Sequence, residues 1–186
     1  MSSTGLNPLS YLVLALVGRG GAGPHDLVEM MRFGGRLYWA AAPSKLYAEP
    51  KRLRSLGYLT ATRAPGRTRE RTIYSLTEPG ERALQEWIAQ PSSWPRIQHE
   101  AVVRVLAGDI GDDAELADSL AAMRAEIDEL DALNREALER AAALPHRERY
   151  LQMVHALGRR LVAAHREWID EVEEALRSGG RVGRGS

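Results

Sequence analysis

The sequence predicts a mostly helical chain in two parts: short helices closed by a small basic β-hairpin wing, then a long antiparallel, coiled-coil-like helical hairpin. Three observations carry that expectation. Apolar residues recur at helical spacing in three short segments before Gly57, alternate with polar ones between Tyr58 and Leu76, and keep a 4-3-4-3 spacing from Leu116 to Leu144. The composition, 44% hydrophobic and 27% charged over 186 residues, is that of a soluble globular protein.

Asn7 followed by Pro8 supplies a cap and a proline at the first helical position, and Leu9, Leu12, Val13, Leu16 and Val17 give a first helix over about residues 8–17. Gly18, Gly20, Gly21 and Gly23 end it. Pro24 opens a second helix facing inward through Leu27, Val28, Met30 and Met31, and Gly34-Gly35 stops it. After a connector from Leu37 to Pro43, Ser44 is expected to cap a third helix reaching Leu56 and closed by Gly57. Pro50 inside that helix removes a backbone donor and is expected to bend the axis. Tyr58 to Arg63 and Thr72 to Leu76 read as strands around an arginine-rich Pro65-Gly66 turn. Thr77 then caps a fourth helix through Ala83, Leu84, Trp87 and Ile88. This order is that of a winged helix-turn-helix domain, placed at 6–90.

The remainder, 96–178, is read as a helical dimerisation domain. After a short helix from Glu100 to Ala107, Leu116, Leu120, Met123, Ile127, Leu130, Asn134, Ala137, Ala141 and Leu144 form one heptad seam. Pro145 breaks it, and a second long helix carries Tyr150, Val154, Leu157, Leu161, His165, Trp168, Val172 and Leu176. Two helices of about 31 residues, each spanning roughly 45 Å, fold back on one another across so short a turn. Such a hairpin leaves an apolar face for a partner, most simply a second copy. Asn134, polar at a core position, is expected to fix register. Residues 179–186, a Gly/Arg tail, are expected to be disordered.

The zero net charge conceals an asymmetry. Residues 1–90 carry 12 basic and 7 acidic side chains, hence +5; the rest carry 13 and 18, hence −5; and 32–71 alone carry ten basic against two acidic, hence +8. A local basic cluster of this kind is the footprint of a nucleic-acid-binding face. In the third helix Leu46, Glu49, Leu53 and Leu56 share one side, while Ser44, Lys45, Ala48, Lys51, Arg52 and Ser55 share the other, with Tyr47 and Arg54 on the flanks. Small residues at Ser44 and Ala48 let a helix enter a major groove, with Lys51 and Arg52 meeting phosphates and Lys45, Ser44 or Tyr47 near base edges. Arg63, Arg67, Arg69 and Arg71 on the hairpin supply a second contact; alternatively, they guard a strand edge against aggregation.

These residues carry a resemblance. Leu9 to Val17, Pro43-Ser44-Lys45-Leu46-Tyr47 with Lys51 to Leu59, and Arg69 to Gly80, including Tyr74-Ser75-Leu76 leading into Thr77 and Gly80, resemble the N-terminal domain of PadR-type transcriptional regulators. The long hairpin is similar to the C-terminal dimerisation domain of the longer PadR subgroup. The resemblance implies a homodimeric repressor of a pseudo-palindromic operator in double-stranded DNA, released by a small effector. Family members often carry Gly-Tyr where this chain has His25-Asp26-Leu27. Trp39, Trp87, Trp94 and Trp168 either line a cavity for a small aromatic or apolar effector, between the two domains or between subunits, or pack as core.

The chain has no cysteine, which excludes disulfides and thiol chemistry and fits a reducing compartment. Its five histidines lack metal-site spacing, and no nucleophile motif accompanies them. The expectation is therefore a cytoplasmic regulator with no enzymatic activity, no metal, no cofactor and no membrane segment or export signal. The alternatives from other classes are a coiled-coil protein-interaction adapter and a non-specific architectural DNA binder.

Overall fold

The computed structural model describes residues 5–39, 42–65 and 70–179, and its internal contacts divide the chain into two units, 1–94 and 95–186. Arg67, Arg69 and all of the expected tail except Gly179 lie outside the described residues.

The first unit begins with α1, Pro8–Val17. Asn7 Oδ1 accepts from the Ser10 amide at 3.0 Å and Ser10 Oγ accepts from the Asn7 amide at 3.0 Å, a reciprocal cap that contributes on the order of 1 kcal/mol. Helix α2, Pro24–Met30, continues as one π-helical stretch over Met31–Gly35. Helix α3 spans Pro43–Ser55 and runs through Pro50. Its boundary differs from the expected one: Ala42, not Ser44, is the N-cap, and Pro43 takes the first helical position. A residue before proline is pushed to extended backbone and proline is preorganised for a helix's first turn, so Pro43 sets the start. Leu56, expected inward, caps the helix and is exposed, beside Gly57 at φ +82°.

Strands β1, Leu59–Ala64, and β2, Arg71–Leu76, pair antiparallel from Leu59↔Leu76 to Ala64↔Arg71. Ala22 adds a third strand position: its amide donates to the Tyr74 carbonyl at 3.0 Å and its carbonyl accepts from the Tyr74 amide at 2.9 Å. Helix α4, Glu78–Ile88, starts at Thr77, whose Oγ1 accepts from the Gly80 amide at 3.2 Å and donates to the Gly57 carbonyl at 2.6 Å. A side chain at position 80 would collide with the Tyr58 carbonyl, which accounts for glycine there. Leu14, Leu27, Leu46, Leu53, Leu59 and Tyr74 form the centre of a core closed within this unit.

The second unit contains α5, Glu100–Leu106; a 3-10 turn, Gly108–Ile110; α6, Asp113–Ala121; α7, Met123–Ala141; and α8, Glu148–Ser178. The single first helix expected here is two, offset at Ala122, which keeps helical dihedrals of φ −58° and ψ −27°. Gly179, in the left-handed region, ends α8. Two charge clusters join α7 to α8: Arg124 with Asp170 at 2.6 Å and Glu173 at 2.9 Å, and Arg166 with Asp128 at 2.7 Å and Asp131 at 3.5 Å.

The seam of α8 also differs from the expected one. Its buried residues are His155, Gly158, Val162, Ile169 and Val172; Val172 belongs to the expected seam, of which Leu161, His165, Trp168 and Leu176 are half-buried. Asn134, 1% exposed, explains the shift: its Nδ2 donates to the His155 carbonyl at 3.1 Å and its Oδ1 accepts from His155 Nδ1 at 2.9 Å. A buried amide must be satisfied, so His155 faces inward, and Tyr150, Met153, Val154 and Leu157 are left 46–65% exposed.

Candidate nucleic-acid interface

Helix α3 is anchored by Leu46, Glu49, Pro50 and Leu53, which are buried, and this turns Ser44, Lys45, Tyr47, Ala48, Lys51 and Arg54 to solvent. Among the described residues, Lys45, Lys51 and Arg54 have no acidic partner. A helix face of two small residues, one aromatic and unpaired cations is one that can approach a duplex and meet phosphate. Arg54 belongs to this face although it was assigned only to a flank.

Arg52, expected among the phosphate contacts, turns back toward the unit. Its Nε donates to Glu49 Oε2 at 2.9 Å, and its Nη2 donates to Glu49 Oε1 at 2.6 Å and Ser10 Oγ at 2.7 Å. Its Nη1 donates to the Gly5 carbonyl at 2.8 Å. Ser10 Oγ in turn donates to Glu49 Oε1 at 2.7 Å. Burial pushes the Glu49 carboxyl up, but the hydrogen bonds from Arg52 and Ser10 outweigh it and hold it below the usual carboxylate value. The bond to Glu49 raises Arg52 against the opposing effect of burial. The sequence signal for this cluster was a carboxylate on the apolar side of the helix, three residues before an arginine.

On the wing, Arg63 Nη1 lies 2.9 Å from Glu70 Oε2, and both side chains are well exposed, a pairing of little energetic consequence. Arg71 Nη1 lies 3.7 Å from Asp26 Oδ2. The same carboxylate oxygen accepts from the Gly23 amide at 2.8 Å and so starts α2.

The four tryptophans have separate neighbours. Trp39 packs on the first unit's core and lines a groove of about 500 Å³ with Pro8, Leu9, Lys45, Ala48 and Glu49. Trp87 stacks on Tyr11, centroids 4.9 Å apart. Trp94 is 87% exposed. Trp168, in the second unit, meets His99 edge-on at 5.5 Å, and His99 stacks on His165 at 5.1 Å. No helix among the described residues is long and apolar enough to cross a membrane.

Residues 97–177 match the family described as virulence activator alpha C-term. The negative transcriptional regulator PadR of Bacillus subtilis is 28% identical over 88 residues, 47% of this chain and 48% of that protein, so the match spans about half the length of this relative. The probable transcriptional regulator Rv1176c of Mycobacterium tuberculosis is 24% identical over 154 residues, 75% of this chain and 82% of that protein. Both are regulators by name, not enzymes. Among solved structures, B. subtilis PadR in complex with operator DNA superposes with a TM-score of 0.75 at 18% identity, covering 93% of this chain and 98% of that one. The same protein in complex with p-coumaric acid gives 0.64 at 18%, covering 93% and 97%. The Vibrio cholerae virulence activator AphA gives 0.68 at 22%, covering 92% and 99%. At these identities the structural likeness is one of fold.

Proposed function

We infer that this chain, a PadR-type regulator by sequence and fold, binds double-stranded DNA sequence-specifically as a homodimer, represses transcription from its operator and is released by a small effector. The observation that carries the reading is the outward face of α3, where Lys45, Lys51 and Arg54 have no acidic partner among the described residues, Ser44 and Ala48 leave room beside them and Tyr47 is exposed. Arg63, Arg71 and, outside the described residues, Arg67 and Arg69 extend the cationic surface along the wing. A fold neighbour solved in complex with operator DNA supports the reading of DNA as the partner.

The homodimer reading rests on the exposed stripe of α8. Tyr150, Met153, Val154 and Leu157 recur at the spacing of one helix face, and an apolar face left in water is a docking surface. Two copies joined there would offer paired reading helices to half-sites about 34 Å apart. The repressor sign follows the B. subtilis relative's name. The effector reading draws on the neighbour bound to p-coumaric acid, and the groove beside Trp39 has the volume of a small-molecule site.

The test is a selection of genomic fragments by purified protein, repeated with metabolite mixtures. We expect a few strongly enriched fragments carrying inverted repeats. Replacing Arg67 and Arg69 together by Ala should weaken binding to every duplex and flatten the salt dependence by roughly two phosphate contacts. Replacing Lys45 or Tyr47 should also relax base preference. Operator binding by all these variants equal to the wild type would refute the proposed face.

A further inference from the structure

The guanidinium of Arg52 has five hydrogen-bond donors, and the structure commits four of them inward. The Nε–H and one Nη2–H go to the two oxygens of Glu49, the other Nη2–H goes to Ser10 Oγ, and one Nη1–H goes to the Gly5 carbonyl. The Ser10 hydroxyl is equally used up, since it donates to Glu49 and accepts from Asn7 and Arg52. The partners come from three places: Gly5 before α1, the first turn of α1, and the buried side of α3. Glu49 itself is only 7% exposed. A fork-to-carboxylate pair fixes orientation as well as distance, so the cluster sets the rotation of α3 about its axis relative to α1. It also removes one cation from a face on which Lys45, Lys51 and Arg54 have no acidic partner among the described residues.

We propose that Glu49 is a positioning residue that withholds Arg52 from the phosphate backbone and holds the rotation of α3, so that discrimination between DNA sequences depends on the Ser10–Glu49–Arg52 cluster. The inference rests on the DNA reading above. An arginine free to follow phosphates strengthens binding to every duplex alike and carries no base information. Holding it inward makes affinity depend on the groups that face base edges. The role is unlike that of an ordinary structural ion pair, because loss of the pair should strengthen one class of binding while weakening the other.

The experiment uses the full-length chain and two probes: a random-sequence duplex, and the tightest duplex that the wild type recovers from a randomised pool. Affinity is measured against salt concentration. Glu49→Gln keeps the shape of the side chain but removes its charge and turns one of its two acceptors into a donor. The expected result is several-fold tighter binding to the random duplex at low salt, a salt slope steeper by about one phosphate contact, and a smaller ratio of selected to random affinity. Arg52→Gln should shrink the same ratio with no loss of slope, and the double variant Glu49→Gln with Arg52→Gln should lose the extra slope of the single one. A slope that is unchanged in Glu49→Gln, or that falls by one in Arg52→Gln, overturns the proposal, the second because it places Arg52 on phosphate in the wild type. Should Glu49→Gln fail to fold, the Arg52→Gln slope still decides. If the wild type binds neither duplex, the DNA reading falls and this inference with it; if it binds and discriminates but the variants behave otherwise than stated, only this inference falls.

Discussion

The first unit buries Leu14, Leu27, Leu46 and Leu53 completely and shows Ser44, Lys45, Ala48 and Lys51 on the outside of α3, whereas α8 of the second unit buries one face and leaves Tyr150, Met153, Val154 and Leu157 in water on another. A unit that closes its own core is free to place charge where a polyanion would meet it. A helical hairpin without a closed core must bury its second apolar face against something else. The largest effect should therefore come from attacking that face. On the proposed homodimer, Leu157→Asp is expected to leave the first unit folded, to yield a monomer in sedimentation where the wild type is a dimer, and to weaken operator binding roughly 10²–10⁴-fold through loss of the linked second half-site. A variant that remains dimeric and binds like the wild type would detach the stripe from the assembly.

A second comparison concerns the buried polar groups. In the first unit Glu49 is held by charge-assisted bonds to Arg52, and in the second Asn134 and His155 share two bonds between helices that otherwise bury apolar residues such as Ile127, Val162 and Ile169 and carry ion pairs beside them. Asn134→Ala removes both bonds and leaves the Nδ1 of the buried His155 imidazole without its partner, which should cost ~1–3 kcal/mol in urea unfolding of the full chain. The loss should appear in hydrogen exchange of α7 and α8 and leave β1 and β2 as protected as before. An unaltered unfolding midpoint would mean that Asn134 sets register without contributing to stability.

The contrast between units also explains what was legible in the sequence. Elements punctuated by local chemistry were read closely: α1 from Asn7-Pro8, the hairpin from its alternation, α4 from Thr77. Their signals act over three or four residues and need no knowledge of the partner surface. The start of α3 lies two residues before the one expected, because Ser44 and Pro43 both signal a start and the constraint that proline places on Ala42 is the stronger. The seam of α8 was misread for a different reason. Hydrophobicity counts faces without saying what covers them, and here Tyr150, Val154 and Leu157 of the expected apolar stripe are exposed, while the covered face includes His155 and Gly158 beside Val162, Ile169 and Val172. Arg52 was assigned outward because a helical wheel gives the direction of a Cα–Cβ bond, not where a long side chain ends. The carboxylate at Glu49, on the apolar side of the wheel, was the residue whose position should have redirected Arg52.

Acidification should separate the two units by a smaller effect. Burial lowers His155, and burial together with the neighbouring His165 lowers His99. His99 also has a geometric reason to stay neutral: its Nδ1 accepts from the Val102 amide at 3.4 Å as the cap of α5, and a proton there would set donor against donor. Because both folded values lie below the unfolded one, the unfolded chain binds protons that the folded unit refuses. The second unit is thus at full stability above about pH 6.5 and loses stability as pH falls through that value toward the folded ones. In the first unit Glu49 is lowered, so its contribution persists above about pH 4.3 and is lost only as pH falls further, through its folded value. Unit-resolved hydrogen exchange from pH 7.5 to 4 should therefore show α5 and α8 losing protection before α1 and α3. His99→Asn keeps an acceptor at the cap and removes one of the two titrating groups, so it should flatten part of the early loss. Simultaneous loss in both units, or earlier loss in α1 and α3, would contradict this order.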